Sequence, residues 1–372
     1  MTATTSADTP VAQLDHLHGG YFASEIFWRD RQPWLQERGY LLRPRYRPNW
    51  KPSWRGTRKH FGFCEDGISP LVGAVMDATC LSDGSVVSLK RIDTTVNPFE
   101  LEIGQFLSSE VITSDPRSRC VPLLDILTEP TEPTVSMIVM PLLRRFDDPR
   151  FLTVGEAVAF FKQLIEGLRV MHEHNVAHRD ISSVNVMMDA RPMYPDMWHP
   201  QSTSRRPDYS GQAEHYSRTE RPPKYLYIDY GLSRKYSAED VPPQELPIFG
   251  GDKSVPEFQE DGYDKPANPF HTDIYYLGNL IRTQFVQKYC GFGFMQSLVD
   301  DMVQDDPGKR PTIEEVDSRF DKIYNRLPWW KLRSRVVEQD ESGFLRTVSG
   351  IGHVFRTARY VAKRLPSVPM PS

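Results

Sequence analysis

Apolar and polar positions along the chain fall into three textures. The first runs from about residue 20 to 60. There "EIFWRDRQPWLQERGY" (25–40) has a helical rhythm with Pro33 inside it, and a break is expected at that proline, which removes a backbone donor and crowds the preceding turn. The second runs from about 70 to 143 and is strand-like. "PLVGAVMDATCLSDGSVVSLKRI" (70–92) gives two runs about a Ser82-Asp83-Gly84 turn, and "CVPLLDIL" and "TVSMIVMPLL" give two more, with one short helical pattern, "PFELEIGQFLSS" (98–109), between the pairs. From about 152 the period changes to that of a helix: Ala157, Phe160, Phe161, Leu164, Leu168 and Met171 share one face. Thr153 and Glu156 stand before it at capping-box spacing. Two short strands, "VNVMMD" and "YLYID", are followed by helices predicted over 272–288, 292–304 and beyond Pro311, where Thr312 and Glu315 repeat the capping spacing. Residues 190–224, between the two strands, are polar, proline-rich and aperiodic, which predicts a mobile insertion. A small β-rich unit with one helix, then a larger helical unit, predicts an α+β, two-lobed enzyme. The expected divisions are an N-terminal extension (1–60, its first 20 residues disordered), a smaller lobe (61–143), a larger lobe (144–327) and a tail (328–372).

Composition narrows the class. With 372 residues, 39% of them apolar, and a net charge of -4, the chain is an ordinary globular protein and not a polyanion binder overall. Cys64, Cys80, Cys120 and Cys290 form no C-x-x-C pair, so they read as thiols in a reducing compartment. "MTATTSADTP" has no basic region leading into an apolar run, and no stretch approaches a membrane span; an intracellular, cytoplasmic protein is expected. Residues 43–60 hold seven Lys/Arg and no acid, with Tyr46, Trp50 and Trp54 spaced evenly in three basic-Pro-x-aromatic tetrads. Basic plus aromatic is a nucleic-acid pattern. Three short proline-bearing tetrads fit better as an extended strap anchored by its aromatics, so no nucleic-acid partner is expected.

The polar residues have the pattern phosphoryl transfer requires: positive charge for the phosphates, oxygens for a metal, and a carboxylate beside the attacking hydroxyl. His178-Arg179-Asp180 followed by Asn185 fits H-R-D-x-x-x-x-N. Asp229-Tyr230-Gly231 is a D-F-G with tyrosine for phenylalanine, and Lys90 in "VVSLKRI" fits V-A-I-K. Through these motifs the chain resembles the eukaryotic protein-kinase superfamily over roughly residues 68 to 325, with the look of divergent fungal kinase-like proteins. Val255-Pro256-Glu257, Asp273 in "TDIYYLG" and "MVQDDPGKRPT" (302–312) resemble further elements of that family, in which Arg310 pairs with Glu257.

The resemblance implies ATP and Mg as cofactors and a protein as substrate. Lys90 would meet the α- and β-phosphates. Asp229 and Asn185 would hold metal, and Asp180 would take the proton of the substrate hydroxyl, expected to be that of a Ser or Thr. Met140 would be the gatekeeper, with Pro141, Leu142 and Leu143 as the hinge. Arg179 would face an activation-segment phosphate, or serve only as a salt bridge; Ser233, Tyr236, Ser237 and Ser254 are the candidate phosphosites. Glu100 is the expected partner of Lys90, with Glu102 as the alternative.

Three features depart from the pattern. The glycine-rich loop reduces to Ile68, Pro70, Gly73 and Val75, with Gly73 alone of its glycines. Glycines there let backbone N–H groups approach phosphates. Ser182 stands where Ser/Thr kinases carry a lysine, and Gly250 where they carry a threonine. The third is the insertion itself. Three readings follow: an active protein kinase first, a pseudokinase scaffold second, a small-molecule phosphotransferase third. The tail adds a separate element. Residues 344–365 carry apolar or small residues at 344, 348, 351, 355, 358, 362 and 365, with Arg346, Arg356, Arg359, Lys363 and Arg364 elsewhere. That is a basic amphipathic helix, expected to pack its apolar row on the larger lobe, with a membrane surface or partner groove as the alternative.

Overall fold

The computed structural model describes residues 20–371 apart from residues 130, 238, 241, 249, 250, 260 and 261; the expectations placed on residues 1–19 and on Gly250 lie outside the described residues. The fold mixes an antiparallel sheet with several helices, compatible with the architecture expected from sequence, and the chain divides into two compact units.

The first unit comprises residues up to Asp93, Leu123–Leu142 and Tyr194–His215. Helix α1 (Ala23–Glu37) precedes strands β1 (Tyr40–Leu42), β2 (Val75–Cys80), β3 (Val86–Asp93), β4 (Asp125–Thr128) and β5 (Val135–Pro141). The strands form one antiparallel sheet in the order β1-β2-β3-β5-β4. Strand alternation sends Met76, Ala78, Val87, Leu89, Leu127, Met137 and Val139 to one face, where they form a core with Trp28 and Leu35 of α1 and with Tyr40, Leu42 and Tyr46. The N-terminal segment is therefore part of this core. The expected break at Pro33 does not occur: α1 runs through it. One missing hydrogen bond is offset by the buried row Glu25, Trp28, Gln32 and Leu35.

The basic strap is held by its own unit. Arg45 and Glu25 are both fully buried and pair at 2.6 Å, and the Tyr46 hydroxyl donates to the same carboxylate at 2.8 Å. Trp50 donates its indole N–H to Asp66 and stacks obliquely on Trp54, 5.8 Å between ring centroids.

The second unit comprises Thr94–Pro122, Leu143–Met193 and residues from Tyr216 onward. Helix α2 (Glu100–Leu107) belongs to it, as does the short α3 (Glu110–Thr113). After β6 (Arg144–Arg145) comes α4 (Val154–Glu173), buried along most of its length. Phe160 of α4 stacks on Phe146 at 4.8 Å, and Phe151, Phe161, Phe285 and Phe292 extend the aromatic cluster. Thr153 caps α4 by accepting from the Glu156 N–H, but Glu156 does not complete the box; its carboxylate takes the N–H of Leu152 and the N–H and hydroxyl of Thr219. Strands β7 (Val176–Ala177), β8 (Val186–Asp189), β9 (Lys224–Tyr227) and β10 (Arg234–Lys235) then build two small ladders, β6-β8-β9 and β7-β10. Beyond them lie α5 (Pro269–Ile281), β11 (Tyr289–Cys290), α6 (Gln296–Met302), α7 (Ile313–Arg326), α8 (Trp329–Arg333), β12 (Val337–Glu338) and α9 (Gly343–Ala362). At α7 the expected capping box between Thr312 and Glu315 is complete.

The insertion is not the mobile segment its composition predicts. Tyr194, Trp198, His199, Arg218 and Thr219 are buried. Residues 194–215 belong to the first unit, where Gln201 donates to Asp77 at 2.8 Å and accepts from the Leu71 N–H at 3.0 Å. In the second unit Arg218 bonds the Tyr225 hydroxyl and the carbonyls of Phe146 and Arg150 while lying 4.2 Å over the Phe151 ring. Aromatic anchors and turn hydrogen bonds fix a segment that has no period for a sequence reading to detect.

Candidate active site

The loop 178–185 is held at both ends by short ladders. Ala177 at the end of β7 pairs with Arg234, and Val186 at the start of β8 pairs with Tyr227. Asp229 follows β9 by two residues, so one ladder sets the end of the loop and Asp229 side by side. Ile228 donates its N–H to the Asn185 carbonyl at 3.0 Å.

The centre of the loop hangs on Asp273 of α5. This carboxylate is fully buried; its two oxygens accept the backbone N–H groups of His178 and Arg179 at 2.7 Å each, with the His172 ring at 3.1 Å. Charge-assisted bonds to two successive amides hold a backbone that would otherwise be unfavourable: Arg179 has φ +69°, a left-handed conformation in a non-glycine residue, and Asp229 independently has φ +66°. His178 accepts the Asp180 N–H at Nδ1, so its Nε2–H donates to the Ile228 carbonyl at 3.1 Å. Burial pushes its pKa down and keeps it neutral.

That scaffold presents Asp180. One carboxylate oxygen accepts from the Asn185 amide at 2.7 Å, and the same amide reaches the Asp180 carbonyl at 2.9 Å. The other oxygen is buried with no hydrogen-bond partner among the described residues. Burial, and after it the negative charge of Asp229, raises the Asp180 pKa to about 6. Gly251, at φ +65°, lies against this carboxylate; a Cβ there would collide with Asp180 Oδ1. A cavity of about 370 Å³ opens beside it, lined by Ser182, Gly251, Asp252, Tyr276 and Asn279 as well as Asp180.

Around this centre the second unit places several expected residues. Glu100 is buried and its carboxylate sits beside Gly231, 3.2 Å from where a Cβ would be, whereas Glu102 lines a separate cavity with Phe99, Arg234 and Lys235. Tyr230 is buried, and its hydroxyl accepts from the Val121 N–H and donates to the Tyr227 carbonyl, which accounts for tyrosine there. Arg310 and Glu257 form the expected pair as a buried fork at 2.6 and 2.8 Å. Arg179 bonds the carbonyls of Leu232 and Leu246 and pairs with Glu245 at 3.3 Å. Of the candidate phosphosites, Ser233 is fully buried and donates to the His178 carbonyl, so it is not available for modification; Tyr236 is half-buried on Glu245, while Ser237 and Ser254 are exposed.

The first unit carries the others. Lys90 on β3 is paired in register with Val75 on β2 and Ile138 on β5. Alternation with Leu89 puts it on the sheet face away from the α1 core, with Ser88, Asp77 and Met140 on the same face. Asp77 is taken by Arg43 at 2.9 Å and by Gln201. Met140 and Leu142 are buried and Leu143, in the second unit, is half-buried.

The segment aligned with a glycine-rich loop is built differently from a hairpin. Strands β1 and β2 pair, but the chain from Arg43 to Ala74 intervenes. Gly73 accepts the Trp28 indole N–H through its carbonyl at 2.9 Å, and a Cβ on it would meet Ser24 at 2.6 Å. Its lack of a side chain serves packing against α1.

Glu245, Gly251, Asp252 and Asn279 were not marked by the sequence reading. The Gly250-Gly251 pair was the available signal for one of them; Glu245 and Asp252 come from loops without periodicity, and Asn279 is a polar position inside helix α5.

The fold and the loop together fit a kinase-like class of protein, and one comparison points the same way. Serine/threonine-protein kinase CAK1 of Saccharomyces cerevisiae is 23% identical to the chain over 235 residues, which cover 61% of the chain and 54% of that protein. The chain thus spans about half the length of the curated relative it matches. The similarity supports a distant kinase-like relationship. No protein-family model matches the sequence.

Proposed function

We propose that the chain is a two-lobed protein kinase that transfers the ATP γ-phosphate to a protein hydroxyl, with Ser/Thr the first class to test. The observation that carries this reading is the Asp273 clamp on His178 and Arg179, which presents an Asp180 carboxylate of raised basicity beside Asn185. A carboxylate with a pKa near the working pH is a suitable acceptor for the proton of an attacking hydroxyl. The cavity beside it has room for a side chain bearing that hydroxyl.

The residues fit the cofactors the reading requires. Asp229 and the amide oxygen of Asn185 would hold Mg, a hard cation that takes oxygen donors. The Asp180 oxygen that lacks a hydrogen-bond partner among the described residues, and the repulsion it feels from Asp229, are what added positive charge at this site would relieve. Mg-ATP would supply the phosphoryl group and neutralise its charge. The chain would contribute Lys90 for the phosphates, with Glu100 as its partner, and Val75, Met140, Leu142 and Leu143 for the base. Gly73 is bound to α1 and is not proposed as a phosphate contact.

Arg179 has an acid of its own chain, Glu245, where an activation-segment phosphate would bind, so activity is proposed to need no phosphorylation there.

A second reading, a scaffold without turnover, is favoured by the replacement of the glycine-rich hairpin and by Ser182, which offers no charge to the transferred phosphate. Incubation with radiolabelled ATP and Mg separates the two. Label transferred by the wild type and lost in Asp180→Asn supports the kinase; an ATP-dependent thermal shift without transfer supports the scaffold.

A further inference from the structure

Helix α9 packs the opposite way from the expectation its sequence raises. It does lie on the second unit, but through its polar side. Gly350, His353, Arg356, Thr357 and Tyr360 are the half-buried or buried positions. Tyr360 donates to the Ser217 hydroxyl at 2.7 Å, Arg359 pairs with Glu220 at 2.9 Å, and Arg333 holds the Leu365 carbonyl just beyond the helix. At 100° per residue the apolar row lies on the far side. There Phe355 is 72% exposed, with Val348 and Ile351 each more than half exposed, while Val354 and Val361, on the flank between the row and the packed side, are 65% and 51% exposed. Surface helices normally turn such a row inward, and an apolar row left outward marks an interaction surface.

The charge around the row indicates what covers it. Between Ser342 and Pro371 there are five Lys/Arg and no acid. Arg359 and Lys363 border the row and remain more than half exposed despite their contacts with Glu220. Helix α8, tied to the end of α9 through Arg333, carries Trp329 and Trp330, both 63% exposed; tryptophan favours the membrane–water interface. An apolar stripe bordered by Arg359 and Lys363, two cations that share the single carboxylate of Glu220, complements a bilayer with anionic headgroups.

We propose that α9 docks the chain on an anionic lipid surface, with Val348, Ile351, Val354, Phe355 and Val361 entering the headgroup boundary while the polar side stays fixed to the protein. The inference is independent of the phosphotransfer reading.

Co-sedimentation of the full chain with vesicles at low salt tests it. Phosphatidylcholine vesicles doped with phosphatidylserine should carry the protein down. Pure phosphatidylcholine should do so about tenfold less well, and high salt should release it. Ile351→Asp with Phe355→Asp should weaken binding by about tenfold or more. Arg346→Glu with Arg364→Glu should also weaken it. Since all four side chains are exposed, each pair should leave the thermal melting curve in place, which checks the fold. Three outcomes overturn the proposal: no sedimentation with the anionic vesicles at low salt; binding that ignores the apolar pair; or a concentration-dependent dimer that the apolar pair abolishes, which assigns the face to a second copy of the chain.

Discussion

Asp180→Asn should abolish phosphotransfer and also make the protein more stable above neutral pH. The wild-type carboxylate is held where its charge is disfavoured, by burial first and then by Asp229, so that its pKa rises from the ordinary 3.8 to about 6. At full weight that rise is worth about 3 kcal/mol, and because the group is only partly buried, solvent screening reduces the expected effect to about 1–2 kcal/mol. Asparagine keeps the shape, removes the charge and can still accept from Asn185. The sign follows from linkage. Between pH 4 and 6 the folded wild type binds more protons than the unfolded chain, so its stability falls as pH rises through that window. Above it the penalty is complete; below it the carboxyl is neutral in both states and the penalty is gone. Urea unfolding of both proteins should therefore show the variant ahead by about 1–2 kcal/mol at pH 8, with the gap closing towards pH 4. A variant no more stable at pH 8, or a gap that stays constant with pH, would refute the account of this carboxylate.

Other substitutions probe the scaffold. Arg310→Met leaves Glu257 buried without its fork and should cost about 3–5 kcal/mol, read as a lowered urea midpoint; a change under 1 kcal/mol would contradict the burial of the pair. Gly251→Ala puts a methyl against Asp180 in a left-handed backbone that disfavours side chains by about 1–2 kcal/mol, so transfer should drop by more than the loss in stability explains; normal turnover would show that this glycine does not pack on the carboxylate during reaction. Phosphatase treatment of the purified protein should leave transfer intact and Glu245→Ala should lower it; sensitivity to phosphatase with an indifferent Glu245 would show that Arg179 answers to a phosphate.

Much of the site could be read from the sequence because its residues cluster between elements with clear periods. The apolar helix before "HRD" and the two apolar strands after it became α4, β8 and β9, and these fix Asp180, Asn185 and Asp229 in space. Arg310 and Glu257 were named as a pair by the family resemblance and form one. Glu100 and Glu102 stand two residues apart in the sequence but in different surroundings, Glu100 buried beside Gly231 and Glu102 lining another cavity. What the sequence could not show was set by tertiary packing. The buried row of α1 carries the helix through Pro33. Ser24 and Trp28 of α1 use Gly73 for close approach, where a loop alignment reads it as a phosphate cradle. Residues 190–224 are fixed by isolated anchors such as Trp198 and Arg218, which leave no periodic trace. In α9 the period was right and the direction wrong, since amphipathicity gives the apolar side of a helix but not what that side faces.

The central claim, that the Asp180 loop performs phosphoryl transfer, is tested most directly by one measurement. Wild type and Asp180→Asn are incubated side by side with Mg and γ-labelled ATP, and label is counted in the chain itself and in a generic protein substrate. The account predicts incorporation that requires Mg and falls to background in the variant, which stays folded by its urea curve. No incorporation by the wild type under any Mg-ATP condition, or equal incorporation by both proteins, would contradict it.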